Sequence, residues 1–160
     1  MEKGGKNMGC FSILEENEGI EDQVLARLSR LGLGAGNCLA SSHPALLVLS
    51  PRAARDTRQL SMRCRTLLLP GDAPTQRWNL QAASAVSYGC GHRDTLTLSS
   101  REGPVLWAAL QREVVTVQGH VVERQEFPLN CSPGQSPLVS LAVAGTLLLM
   151  GAPPESLGPS

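Results

Sequence analysis

Three uninterrupted apolar runs dominate the first half of the chain: ALLVLS at 45–50, CRTLLLPGD at 64–72 and AASAVSYG at 82–89. A strand that is apolar at consecutive positions, not only at alternate ones, is covered on both faces. Repeating such strands with helix-length spacers predicts a small, mostly parallel sheet with helices packed on it. Pro51 stops the first run and Pro70-Gly71 makes a turn at the end of the second. The spacer from Arg52 to Met62 is expected to be a short helix.

The segments on either side of these runs obey other periods. Ile20, Val24, Leu25, Leu28 and Leu31 recur at helical spacing, and Gly32 suits the end of that helix. After the third run, DTLTLSS, PVLWAALQ, EVVTVQG and HVVERQEFPL are short and joined by REGP and QG, which predicts an antiparallel meander over 94–129. Ser136 suits a helix cap, Pro137 a first turn, and Gly151 with Pro153 a stop. The apolar run LVSLAVAGTLLLMGA at 138–152 has 15 residues, short of the roughly 20 that span a bilayer, so it reads as a buried helix. The expected class is α/β, a small mostly parallel sheet followed by an antiparallel meander and a buried C-terminal helix. Residues 20–152 are expected to form one domain, after a flexible segment at 1–19 and before a disordered tail at 153–160.

Charge and composition narrow the function. Lysine plus arginine and aspartate plus glutamate number 14 each, so no global field draws the chain to nucleic acid or an anionic membrane. Aromatic residues are 3% of the chain, too sparse for a base-stacking platform. Cysteines stand at 10, 38, 64, 90 and 131 with no C-x-x-C pair, which suits reduced thiols in a cytoplasm. The N-terminal MEKGGKNMGCFSILEENEG has no apolar core of a secretory signal, and MGCFSI carries Ile13 where a myristoylation signal starting at Met8 needs Ser or Thr. Neither membrane insertion nor a cofactor is expected. The glycines of GLGAGN at 32–37 follow a helix and lead toward a strand, the reverse of a phosphate-binding loop, so a plain helix-ending loop is expected there.

Chemistry concentrates in YGCGHRD at 88–94, where a thiol, an imidazole and a carboxylate lie two residues apart as Cys90, His92 and Asp94. As a metal site the stretch lacks its remaining ligands, because His43 and His120 are isolated in sequence. As a nucleophile, Cys90 needs a base, and His92 is too near along the chain to serve easily. The alternative is a glycine-permitted turn in which Asp94 accepts from backbone amides. The alternation of Thr95, Thr97 and Ser99 with Leu96 and Leu98 predicts one hydroxyl face and one apolar face, and Arg112, Glu113, Glu123, Arg124 and Glu126 are expected to pair across a surface hairpin.

Apolar strands, then VSYG, a polar turn with Asp94, a small antiparallel sheet and the helix that follows GQSPLVS make an order that resembles the last part of the central ATP-binding domain of Mur ligases. Those enzymes join an amino acid to a nucleotide-linked peptidoglycan precursor, so the resemblance implies a bacterial cytoplasmic setting. It covers residues 45–151. Three departures matter. The family's glycine-rich loop ending Gly-Lys-Thr or Gly-Lys-Ser, which holds the nucleotide phosphates, is absent; Gly4-Gly5-Lys6 is followed by Asn7. The family's His-Asn-x-x-Asn falls on Ser136, Pro137, Leu138, Val139 and Ser140, and its Asn-x-Asp-Asp falls near Ser50, Pro51, Arg52 and Ala53. What the resemblance implies is therefore the architecture without the ligase chemistry.

Two functions follow as expectations. The first is a noncatalytic accessory or interaction protein with an unknown protein partner, not binding ATP. The second is a small enzyme or ligand-binding protein whose site lies at the strand carboxyl ends, drawing on Ser50, Asp72, Tyr88, Cys90, His92 and Asp94, with Gly71 beside them.

Overall fold

The computed structural model describes residues 11–33 and 43–159. Among these residues nine strands and three α-helices run β1 (Phe11–Leu14), α1 (Ile20–Arg30), β2 (Leu46–Leu49), α2 (Pro51–Asp56), β3 (Ser61–Pro70), β4 (Asn79–Gly89), β5 (Leu96–Glu102), β6 (Val105–Leu110), β7 (Val114–Val115), β8 (Val121–Val122), β9 (Gln125–Leu129) and α3 (Pro137–Leu149). Seven strands make one sheet in the order β1-β2-β3-β4-β5-β6-β9. The first five are mutually parallel, and β6 and β9 are antiparallel. This is the α/β class expected.

The two faces of the sheet carry different cores. One face holds Val48, Leu68, Val86 and Tyr88 under α1 and α3, and the other holds Leu47, Leu49, Leu67 and Leu69 with Ala54 of α2 and Trp78. A strand feeding both clusters must be apolar at consecutive positions, which is why the runs read as they do. In β3 the alternation slips once. Cys64 and Leu67, three apart, belong to the same cluster, and the β3–β4 register omits Arg65 and Ala83.

Helix α3 is the centre of the molecule. Every residue from Val139 to Leu149 is buried, because the sheet, α1 and the C-terminal segment enclose it. Ser136 caps it by accepting from the Leu138 amide, and Gly151, at φ 105, lets the chain leave. Its two buried hydroxyls are satisfied locally: Thr146 donates to the Ala142 carbonyl at 2.8 Å, and Ser140 accepts from Gln135 at 2.7 Å. No helix among the described residues is long and apolar enough to cross a membrane.

The structure differs from the sequence expectations in several places. Residues 11–14, inside the segment expected to be flexible, form the edge strand β1 parallel to β2. The spacer helix stops at Asp56, and Ser61 already begins β3, so the second strand is longer and the helix shorter than the run lengths suggest. The meander is interrupted: β6 pairs with β9, while β7 and β8 form a separate two-stranded ribbon. The tail is ordered at 154–157 as a 3-10 turn, with Leu157 buried in the main core and its carbonyl accepting from the Asn130 amide at 3.0 Å. Of the glycines at 32–37, Gly32 has φ 73 and ends α1, whereas 34–37 lie outside the described residues, as do Met8 to Cys10 and the Gly4-Gly5-Lys6 segment.

Candidate functional site

Parallel strands are usually joined by a crossover of a dozen residues or more. Between β4 and β5 there are only residues 90–95, so β5 starts beside the end of β4 and shares just two paired positions with it, Tyr88↔Leu96 and Gly89↔Thr97. YGCGHRD is the step between them.

Asp94 holds that step together. Its side chain, 8% exposed, turns back so that Oδ2 accepts from the Gly91 amide at 3.0 Å. The carboxylate occupies space that side chains would otherwise take. A Cβ on Gly89 would stand 2.6 Å from Oδ2, one on Gly91 3.2 Å from it, and one on Gly71, after β3, would overlap Oδ1 outright. None of these three glycines has a positive φ. They are required for room and not for a left-handed backbone, which corrects the conformational reason the sequence suggested.

Two further side chains fix the step from outside. Gln111 Nε2 donates to the Asp94 carbonyl at 2.7 Å and the His92 carbonyl at 3.1 Å, and Arg112 donates to the Arg93 carbonyl and Thr95 Oγ1. Arg112 therefore serves the turn and not the surface hairpin expected of it. Gln111 carried no signal in the sequence, since it follows β6 and reaches the turn only through the β5–β6 pairing.

Around this turn a cleft of about 560 Å³ is lined by Pro70, Gly71, Asp72, Tyr88, Leu138 and the 89–94 turn. It gathers five of the six candidate residues: Asp72, Tyr88, Cys90, His92 and Asp94. Ser50 is not among its walls. It is fully buried, and its hydroxyl accepts from the Ala53 amide as the cap of α2. Tyr88 is likewise committed, because its hydroxyl donates to the Leu49 carbonyl at 2.7 Å. Burial, and after it the carboxylates of Glu18 and Asp72, push the phenol well above its ordinary range, so it stays a neutral donor. Asp72 and the thiol-bearing Cys90 are exposed, as is His92. Among the described residues no three His, Cys, Asp or Glu side chains are placed to share a metal ion.

A second cleft brings together two segments that lie 80 residues apart in sequence. Pro51, Arg52 and Arg55 face Ser136, Leu138 and Val139 across about 490 Å³. The chain matches no family model, no curated protein and no solved structure.

Proposed function

We propose that the chain is a noncatalytic accessory or interaction domain, with an architecture like the later part of a Mur ligase central domain, that does not bind ATP. The observation carrying this reading is how the polar groups at the strand carboxyl ends are used. Ser50 caps α2, Tyr88 donates to Leu49, and Asp94 fills the space between three glycines. Groups committed to the fold are held by neutral or backbone partners and are not presented to a substrate. The shared cleft of Arg52 and Ser136 supports the architectural likeness, because it joins the two segments on which the resemblance places the family's polar motifs. There the chain has Arg52 near the place of the family's acids and Ser136 in place of its histidine.

A second reading rests on one specific feature, the cleft of about 560 Å³ with Asp72, Cys90 and His92 on its walls. Open α/β sheets bind ligands at the strand carboxyl ends, where this cleft lies. A thermal-shift panel of nucleotides, peptidoglycan precursors and divalent metals separates the two. The accessory-domain reading predicts an unchanged melting temperature throughout. A ligand at a hundred times its Kd adds about 2.7 kcal/mol, so a true ligand raises the melting temperature visibly and selects the second reading.

A further inference from the structure

The step at YGCGHRD leaves a strand edge open inside the sheet. On one side β4 pairs with β3 from Asn79 to Tyr88, while on the other it meets β5 only at Tyr88 and Gly89. Along 79–87, then, no described strand takes up the backbone groups on the side away from β3. Residues Gln81 to Ala85 are all exposed, so both faces of the strand are accessible there as well as its edge.

Natural strand edges are usually blunted by lysine, proline, inward charge or a covering loop, because unpaired N–H and C=O groups template another strand. This edge reads NLQAASAVS, with neither charge nor proline. Its side chains are small, so a neighbouring backbone can approach closely. Alongside it runs an open cleft of about 420 Å³, walled by Leu67, Leu69, Trp78, Leu80, Ala82 and Ala85. A strand laid on the edge would turn every second side chain into that cleft.

The charges near the edge are of one sign at one end. Arg63 and Arg65 on β3, one strand in from the edge, and Arg77 before β4 are exposed near the amino-terminal half of β4. Arg63 donates to Gln81 and Arg65 to the Val117 carbonyl, both neutral acceptors that leave the charges uncompensated.

We propose that the β4 edge is the interaction surface of this domain, and that it receives an extended segment of another protein, apolar at alternate positions and acidic at the end that meets Arg63, Arg65 and Arg77. Main-chain hydrogen bonds to β4 supply affinity, and the cleft beside Trp78 and Leu80 selects apolar side chains. This rests on the interaction-domain reading and names its partner chemistry.

The test uses the full chain carrying Trp107→Phe, which leaves Trp78 as its single indole, and an end-blocked peptide, Glu-Glu-Val-Thr-Val-Thr-Val. Trp78 emission follows binding, and hydrogen exchange follows the edge amides. The expected result is saturable binding with slowed exchange confined to 80–86, weakened at least tenfold by Ala83→Pro and by replacing the peptide's glutamates with lysine. Ala83→Lys, at an exposed position, keeps the test valid should the proline variant fold poorly. No saturable response, or one indifferent to Ala83→Lys and to the peptide's charge, overturns the proposal. Self-association of the free chain that Ala83→Lys abolishes would also overturn it, by placing a second copy on the edge. ATP binding would instead remove the underlying noncatalytic reading and leave the peptide result standing, so the two failures are distinguishable.

Discussion

At the residue scale, the fate of YGCGHRD is decided by one carboxylate and the glycines around it. A methyl group on Gly71 or Gly89 would meet the Asp94 carboxylate, so Gly71→Ala and Gly89→Ala are each expected to cost about 1–3 kcal/mol in urea melts, the usual scale of overpacking. Cys90→Ser and His92→Ala, on exposed side chains, should stay within about 0.5 kcal/mol. Because the clash has a specific partner, Asp94→Ala should relieve part of the Gly89→Ala cost, with a coupling of about 0.5–3 kcal/mol in a double-mutant cycle. Purely additive effects would contradict this packing. Tyr88 gives a second residue-scale prediction. Its folded-state pKa is raised by burial first, so the unfolded chain releases the phenolic proton more readily than the folded one. Its contribution to stability is therefore complete below the unfolded value of about 10 and is lost as pH climbs above it. Tyr88 is the chain's only tyrosine. Tyrosinate absorbance should thus appear together with alkaline unfolding by circular dichroism, and a tyrosinate signal in a still-folded chain would show the phenol to be accessible. The sequence shows that Asp94 sits where a turn needs an acceptor. It does not show Gly71 as its neighbour, because they meet only once β3 and β4 pair.

At the scale of elements, the clearest signals come from long apolar runs and the weakest from short or enclosed pieces. Two of the three runs are legible because Leu46 to Leu49 and Thr66 to Pro70 are buried on both faces, whereas the third, expected to be covered likewise, is exposed from Ala82 to Ala85 and buried only toward its end. β1 escapes detection because FSIL is four residues long and surrounded by glycine and acid, and it is held by pairing with Leu46 to Leu49 more than by its own pattern. The interrupted meander has the same origin: Val114, Val115, Val121 and Val122 have strand chemistry, but the partner that β6 accepts lies further on at Gln125 to Leu129. Helix α3 is the element on which the fold turns. Leu148 is 1% exposed, so Leu148→Asp is expected to destabilise by several kcal/mol, on the order of 4, through an unpaired buried carboxylate. A soluble variant with an unchanged melting temperature would mean that the helix is not enclosed. Gly145 marks the same crowding, since a Cβ there would lie 3.0 Å from Leu68 and 3.3 Å from Leu96. Gly145→Val should accordingly destabilise by an amount within the overpacking range of about 1–3 kcal/mol, read from the shift of the thermal midpoint.

At the scale of the whole molecule, the parallel half, the step at 90–95 and the antiparallel half form a sheet whose carboxyl-end cleft is walled mainly by residues that also hold the fold together. Fold class is legible from the order of runs, whereas use of the site is not, because a capping serine and a catalytic serine are the same letter until the amide of Ala53 is seen beside Ser50. The same holds for the open β4 edge, which depends on how few residues β5 shares with β4 and on nothing within NLQAASAVS itself. We propose that this architecture carries no nucleotide chemistry. Equilibrium dialysis of the full chain against labelled ATP and magnesium tests it most directly. No retained label above that of a non-binding control protein is expected at any concentration. Saturable retention of one ATP per chain, displaced by unlabelled ATP, would contradict it.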